Sequence, residues 1–374
     1  MRISLGTAIK LGLQDGGLSF SPKTAYLLIG EGCNYGCKYC DVSHGMLARI
    51  TWPSFRDDLV LDALNSSDFE RVCLQVTGTG MEEALEILEM VDLPSSVCAR
   101  ITDLEQVKLS FKRGADTIGI ALDGVTPKIS DEIGRGGFEE TLNLLKEAAK
   151  IFPGRIWTHL IIGLGETERD AVELTQKLHD GGVGIALFAF TPVKGTEMEN
   201  FERPSMNTYR RMQIARYLIE NDLQKEFSFN SRDELIGFND VEREAFLTSG
   251  CESCDRGYYD SNPGDPYNFP DIVGDEDYKK AIGQARTWRG SNVYKAGKLI
   301  RIFVEYSDYI KDVRITGDFF VHPEESLEGL ERSLIGLPVD KNALEDKIKE
   351  FMKTAQVFGF DERSLSDAIM GAVV

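Results

Sequence analysis

The 374-residue chain lacks any run of the roughly 18 apolar residues that a membrane-spanning helix needs. Its N-terminus lacks a basic leader followed by an apolar stretch, so no secretory signal is expected. Positive charge is scarce: 42 Lys and Arg stand against 61 Asp and Glu, a formal net charge of −19. That balance opposes a phosphate-binding surface, so neither nucleic acid nor membrane is expected as a partner, and a protein with a basic patch suits better. The cysteines do not add up to a disulfide framework. There are seven, five of them in two clusters, while Cys73 and Cys98 stand alone inside apolar runs. An odd count in this pattern suits metal sites in a reducing, cytoplasmic setting. What the chain does have is apolar content of 42%, enough for a large core. Its length exceeds one ordinary domain and fits an α/β barrel plus something small.

The densest chemistry is Glu31-Gly32-Cys33-Asn34-Tyr35-Gly36-Cys37-Lys38-Tyr39-Cys40, directly after the strand-like run Ala25–Gly30. Cys33, Cys37 and Cys40 stand at C-x3-C-x2-C spacing. Three thiolates on one tight loop can hold three irons of a four-iron cluster, leaving the fourth iron without a ligand from this loop, unlike the usual four-Cys site. An open iron can bind and reduce something. A zinc knuckle or a disulfide are the alternatives, and zinc would want a fourth ligand, for which His44 is the nearby candidate.

Strand-like and helical segments alternate from there on, the signature of a parallel sheet wrapped in helices. Residues 1–22, with Gly6, Gly12, Gly16, Gly17 and Pro22, are expected to cap the barrel. Strands are expected at Thr24–Ile29, Arg71–Val76, Ser96–Ile101, Thr117–Leu122, Arg155–Ile162, Ile185–Phe190 and, briefly, Phe227–Asn230, with helices between them and a last one over Val241–Ser249. Six to eight such units predict closure as a TIM-type barrel, whose chemistry sits at the C-terminal ends of the strands. Gly78 and Gly80 end the second strand, Asp123 ends the fourth, and Gly163-Leu164-Gly165-Glu166 ends the fifth. Alternation puts His159 on one side of its strand with Trp157 and Ile161. On the lumen side it would face a substrate; on the other it would be a satisfied core histidine.

A second cysteine pair lies in Leu247-Thr248-Ser249-Gly250-Cys251-Glu252-Ser253-Cys254-Asp255-Arg256-Gly257. A C-x2-C pair can be a disulfide, half a zinc site, or part of an iron–sulfur site. It is expected at the barrel mouth. Two thiolates do not complete a cluster, and Ser249, Ser253, Asp255, Cys98 or a partner protein could supply the rest.

The cysteine loop, the Arg49-Ile50-Thr51-Trp52-Pro53 stretch, the His159–Glu166 segment and Thr248–Cys254 resemble biotin-synthase-related radical S-adenosylmethionine (SAM) proteins over roughly residues 1–270. The similarity is nearest to subunits of the two-component lipoyl synthases, which continue with Asn-Arg-Pro where this chain has Asp255-Arg256-Gly257. The resemblance implies that Cys33, Cys37 and Cys40 hold a [4Fe–4S] cluster whose open iron chelates SAM and cleaves it to a 5′-deoxyadenosyl radical. It implies that Gly78, Gly80, Asp123, Gly163 and Glu166 line SAM and that Cys251 and Cys254 hold an auxiliary iron–sulfur cluster; His159, which stands where the family motif has its first glycine, is the candidate catalytic residue from its expected lumen-facing side. Biotin synthase itself places cluster cysteines on three barrel strands. Cys73 and Cys98 match two of these, Trp157 stands at the third, and the Cys251/Cys254 pair is foreign to that enzyme.

After about residue 290 the composition changes to two adjacent strands, Lys298–Tyr306 and Tyr309–Thr316, and helices over Ser326–Leu334 and Lys341–Phe351. The Gly-Lys-Leu-Ile start and Ile315-Thr316-Gly317-Asp318-Phe319-Phe320 resemble the accessory domain of lipoate–protein ligases. The expected organisation is a cap over 1–22, a barrel over 23–270, a linker helix over 271–291 and an accessory-type domain over 292–374. The implied function is radical sulfur insertion into a protein-bound octanoyl chain. Its partners would be an octanoylated or lipoylated carrier protein, a second radical SAM subunit, a ligase catalytic subunit and an electron donor such as ferredoxin. The alternatives are sulfur insertion of the biotin synthase type and a non-catalytic electron-transfer or scaffold subunit.

Overall fold

Runs such as Thr24–Ile29, buried along their whole length, need cover on both faces, and parallel strands wrapped by helices supply it. The structure, a computed structural model, describes residues 1–33, 35–42, 47, 50–256, 264 and 266–373. It forms two compact units: Met1–Phe229 with Asp233–Ala281, and Ile282–Val374 with Asn230–Arg232.

The first unit runs β1 (Arg2–Ile3), α1 (Leu5–Lys10), β2 (Thr24–Ile29), α2 (Asp57–Asn65), β3 (Arg71–Val76), α3 (Met81–Leu88), β4 (Ser95–Ala99), α4 (Leu104–Lys112), β5 (Thr117–Ile120), α5 (Pro127–Glu132), α6 (Phe138–Ile151), β6 (Ile156–Ile162), α7 (Glu168–Asp180), β7 (Gly184–Ala189) and α8 (Met206–Glu220). The sheet order is β1 to β7 in sequence. β1 is antiparallel to β2, and β2 to β7 are parallel. The α/β expectation holds, with a ring of six parallel strands that stays open between its edges. Ser228–Phe229, expected to join the sheet, is instead β8 of a separate hairpin with β9 (Leu235–Gly237). Of its two residues Ser228 is exposed and Phe229, half-buried, packs against the core from outside the sheet. The helix expected over Val241–Ser249 shrinks to a 3-10 turn at Arg243–Phe246.

Strand alternation sorts the first unit's side chains. Leu27, Leu74, Val97, Ile118, Leu160 and Ile185 join the large apolar core. The other set, including Tyr26, Cys73 and Cys98, turns to the inner face. Among the described residues no helix is long and apolar enough to cross a membrane.

Helix α9 (Asp275–Ala285) leads to β10 (Trp288–Ala296), β11 (Lys298–Tyr306), β12 (Ile310–Gly317), β13 (Phe320–His322), α10 (Ser326–Leu334), α11 (Lys341–Phe351), β14 (Gln356–Phe358) and α12 (Glu362–Met370). The sheet has three antiparallel strands, not two. Its missed member, β10, pairs with β11 from Trp288↔Tyr306 to Ala296↔Lys298. The turn signal is Gly297, whose φ of +85° favours glycine. Ile300, Ile302 and Val304 bury one face against Leu330, Leu344, Ile348 and Leu365 of the helices.

Ile302 is 0% exposed in that core. Ile302→Ala should cost about 2–5 kcal/mol, read as a lower denaturation midpoint for the second unit. An unchanged midpoint would mean that this sheet does not carry the unit's stability.

Candidate active site

The loop after β2 is held at several points along its length. The Thr79 hydroxyl donates to the Gly32 carbonyl at 3.2 Å. The Lys38 N–H donates to Ile133 O at 2.9 Å, and the Met198 N–H donates back to Lys38 O at 3.3 Å. The Tyr39 hydroxyl donates to Asp123 Oδ2 at 2.8 Å. That oxygen also pairs with Arg135 Nε at 3.0 Å. Asp123 itself sits at φ +67° and bridges to β6, its N–H donating to His159 O and its carbonyl accepting from Ile161 N–H, both at 2.9 Å. A buried carboxylate thus ties the thiol loop to two strand ends.

Cys33, Cys37 and Cys40 line one cavity of about 250 Å³ together with Gly78, Asp123 and His159. Burial pushes the Cys37 thiol up and the Cys40 thiol up to about 11, so a metal would have to displace their protons. A Cβ added at Gly78 would stand 3.4 Å from Cys33 Sγ, so the bare backbone there gives the sulfur room. Thr77 Oγ1, in the same wall, is buried with no hydrogen-bond partner. Among the described residues no three His, Cys, Asp or Glu side chains are grouped to hold a metal ion. His44 and Arg49 lie outside the described residues, as do Asn34 and Gly257 to Tyr259.

Three other predicted positions do not line this cavity. At Gly80 an added Cβ would stand 2.6 Å from Ile29 O, so glycine lets α3 start against the end of β2. Gly163, at φ +103°, has no room either, with Pro204 Cδ at 2.6 Å from such an atom. Glu166 accepts from the Gly163 and Leu164 N–H groups at 2.5 and 2.9 Å, closing the turn after β6. Burial raises its pKa despite those donors. Sequence reasoning missed three arginines, Arg100, Arg135 and Arg256, which bring positive charge to the cavity of an acidic chain. Arg100 directly follows β4, a strand-end position that was legible; Arg135 and Arg256 had no local signal.

The second cysteine pair is not at the C-terminal mouth, as expected, but at the other end of the strands. The Lys23 N–H, just ahead of β2, donates to Asp255 Oδ2 at 2.5 Å, and the Thr24 hydroxyl donates to Ser253 O at 2.6 Å. Ser249 Oγ accepts from Leu187 N–H of β7 at 2.8 Å. The segment therefore crosses from the free edge of β7 to the start of β2, filling the side where no further strand closes the ring. Cys251 and Cys254 enter a narrow inner cavity with Cys73, Cys98, Trp157 and His159. Cys73 and Cys98 stand 3.8 Å apart, sulfur to sulfur. The hydrogen bond from Cys251 holds the Cys254 thiol down at about 5, and burial pushes Asp255 up to about 6. His159 turns to the lumen, against the edge of the Phe188 ring at 5.2 Å, and lines both cavities.

Residues 27–178 match the radical SAM superfamily, and residues 291–369 match the bacterial lipoate protein ligase C-terminus. The chain carries a radical SAM domain followed by a lipoate–protein ligase C-terminal domain. The superfamily implies a [4Fe–4S] cluster and SAM. A lipoyl synthase of Picrophilus torridus is 23% identical over 249 residues, covering 62% of this chain and 82% of that protein. A lipoyl synthase of Thermus thermophilus is 25% identical over 232 residues, covering 58% of this chain and 66% of that protein. A solved bipartite lipoate protein ligase with its E2 lipoyl domain, from Thermoplasma acidophilum, is similar at 30% identity, over 22% of this chain and 96% of that chain, with a TM-score of 0.21.

Gly163→Ala separates a packing role from a SAM contact. Strain at its left-handed φ and the close approach to Pro204 should cost about 1–3 kcal/mol of stability, seen by thermal unfolding without SAM. An unchanged midpoint with weakened SAM binding would instead make Gly163 a cofactor contact.

Proposed function

We propose that this protein inserts sulfur into a protein-bound octanoyl chain in lipoyl cofactor assembly. The observation that carries the reading is the union, in one chain, of a radical SAM domain and a ligase-type domain, two separate resemblances that lead to the same cofactor. The lipoyl synthase relatives favour the same reading over the biotin synthase type. When bound, a [4Fe–4S] cluster with SAM supplies a radical able to abstract hydrogen from an unactivated C–H bond.

Cys33, Cys37 and Cys40 would hold that cluster. The chemistry of the donor set fits: three thiols line one cavity. Thr77 Oγ1 and Arg100 offer polar contacts for the amino-acid end of SAM, and Asp123 stands at the strand end where a ribose would lie. Gly80, Gly163 and Glu166 shape the two turns behind this surface. His159 lines the passage between the two cavities, where an acyl chain would thread. Cys251 and Cys254 would belong to an auxiliary iron–sulfur site, whose sulfide would be the sulfur given up to the acyl carbon. The lumen would have to exclude water during the reaction, because a carbon radical abstracts hydrogen from whatever lies near. The octanoylated carrier protein would be the substrate, with a second radical SAM subunit and an electron donor such as ferredoxin as partners. Fusion to a ligase-type domain would keep acyl attachment, by a ligase catalytic subunit acting in trans, close to sulfur insertion.

Anaerobically reconstituted protein, given SAM, reductant and octanoylated carrier, should form 5′-deoxyadenosine and add sulfur mass to the carrier. Cys37→Ala should reduce both to background. Cleavage of SAM by the variant at the parent rate would remove the basis of the reading, and an unaltered carrier with full SAM cleavage would point to another substrate.

A further inference from the structure

We infer that the inner cavity is a complete four-thiolate site, in which Cys73, Cys98, Cys251 and Cys254 together hold an iron–sulfur cluster. The inference deepens the proposed function, which supplies the cluster's purpose, by naming a ligand set from this chain alone. All four thiols line one cavity. Cys73 and Cys98 are 3.8 Å apart on neighbouring strands. Cys251 and Cys254 share one turn, closed by a Cys254 N–H to Cys251 O bond of 3.0 Å. The seven cysteines then divide into three at one end of the strands and four at the other, which accounts for the odd count.

The surroundings argue for an occupant. The interior of a strand ring is ordinarily a packed apolar layer. Here it holds four thiols with Ser96, Gln75, His159 and Arg256; Ser96 accepts from Arg71 and Arg256 donates to Ser249 O, so it is the gathering of the four thiols that calls for a use. Trp157 lines the same cavity, and its Nε1–H is buried with no acceptor among the described residues. A buried donor left unpaired calls for an explanation, and a cluster sulfide is a fitting acceptor. Two glycines leave room beside the sulfurs: a Cβ at Gly119 would stand 2.9 Å from Cys98 Sγ, and one at Gly250 would stand 2.8 Å from Cys254 Sγ.

The other residues able to complete the Cys251/Cys254 pair are engaged elsewhere. Ser249 Oγ accepts from Leu187 N–H, the Ser253 hydroxyl donates to Glu70, and the Asp255 carboxylate accepts from Lys23 N–H and the Tyr26 hydroxyl. Zinc would gather the thiolates on one centre, whereas a cluster spreads them over several irons, so bound sulfide distinguishes the two. Gln75, Cys98, His159 and Arg256 line both cavities, so the cluster would adjoin the site where SAM is cleaved. On assembly the thiols release their protons to solvent as each takes an iron.

The test uses the full chain carrying Cys33→Ala, Cys37→Ala and Cys40→Ala, reconstituted anaerobically with iron, sulfide and dithiothreitol. Iron and acid-labile sulfide should remain bound in equal amounts. Adding Cys73→Ala or Cys98→Ala should each remove at least about half of that iron, as should Cys251→Ala, because a cluster needs its four-cysteine set. Should the alanine variants fail to fold, Cys98→Ser keeps the volume and should shift the electron paramagnetic resonance spectrum of the reduced cluster. Iron indifferent to Cys73 and Cys98, a spectrum unchanged in Cys98→Ser, or zinc without sulfide overturns the inference. No SAM enters these measurements, so they fail separately from the proposed reaction. A chain that keeps this iron but never cleaves SAM would sink the reaction and leave the site standing.

Discussion

The buried contact among Tyr39, Asp123 and Arg135 sets where the reacting groups can be. Asp123 and Arg135 are only 7% and 8% exposed, and their ion pair is short at 3.0 Å. Removing one partner of such a pair leaves an uncompensated charge in the interior, at a cost of about 3–5 kcal/mol. The same carboxylate accepts from Tyr39, one residue before Cys40. Its backbone pairs with His159 and Ile161 of β6. One residue, through its carboxylate and its backbone, therefore fixes the thiol loop, the end of β5 and the lumen histidine together. A loop carrying three thiols on flexible Gly-rich chain needs such a fixed point if its sulfurs are to share a wall.

The second constraint is the open ring. Six parallel strands leave one side unpaired, and the segment from Ser249 to Arg256 fills it. That segment brings Cys251 and Cys254 to the start of β2, opposite the end that carries Cys33. The lumen holds two cavities with thiols in each, and His159 and Arg256 border both. Arg256 donates to Ser249 O at 2.9 Å and lies 3.7 Å over the Phe188 ring. It is thus both part of the plug and part of the wall.

Much of this was legible in the sequence because its signals are local. Period-two burial and short apolar runs put the strands within a residue or two of their places, and the thiol spacing marked the loop. Strand alternation likewise placed His159 on the side of Trp157, and that side proved to be the lumen. The failures are long-range or steric. No local pattern shows that Asp255 returns to Lys23, 232 residues earlier, so the second pair was put at the wrong end. Gly80, Gly163 and Glu166 sit at strand ends, where a cofactor contact is expected; in the structure Ile29 and Pro204 leave no room for a side chain at the two glycines and Glu166 closes a turn, steric reasons that no local pattern shows. Cys73 and Cys98 looked solitary because their nearness depends on strand pairing, Cys73 opposite Ser96 and Gln75 opposite Cys98.

The central claim is that a radical made at the Cys33 loop acts on an octanoyl chain inside the ring. It is tested most directly by following one hydrogen. Reconstituted protein would be given SAM, reductant and a carrier protein bearing a fully deuterated octanoyl group, and 5′-deoxyadenosine would be weighed by mass spectrometry. The account predicts that deuterium moves into 5′-deoxyadenosine while the carrier gains sulfur. 5′-Deoxyadenosine free of deuterium, with the carrier unchanged, would contradict it.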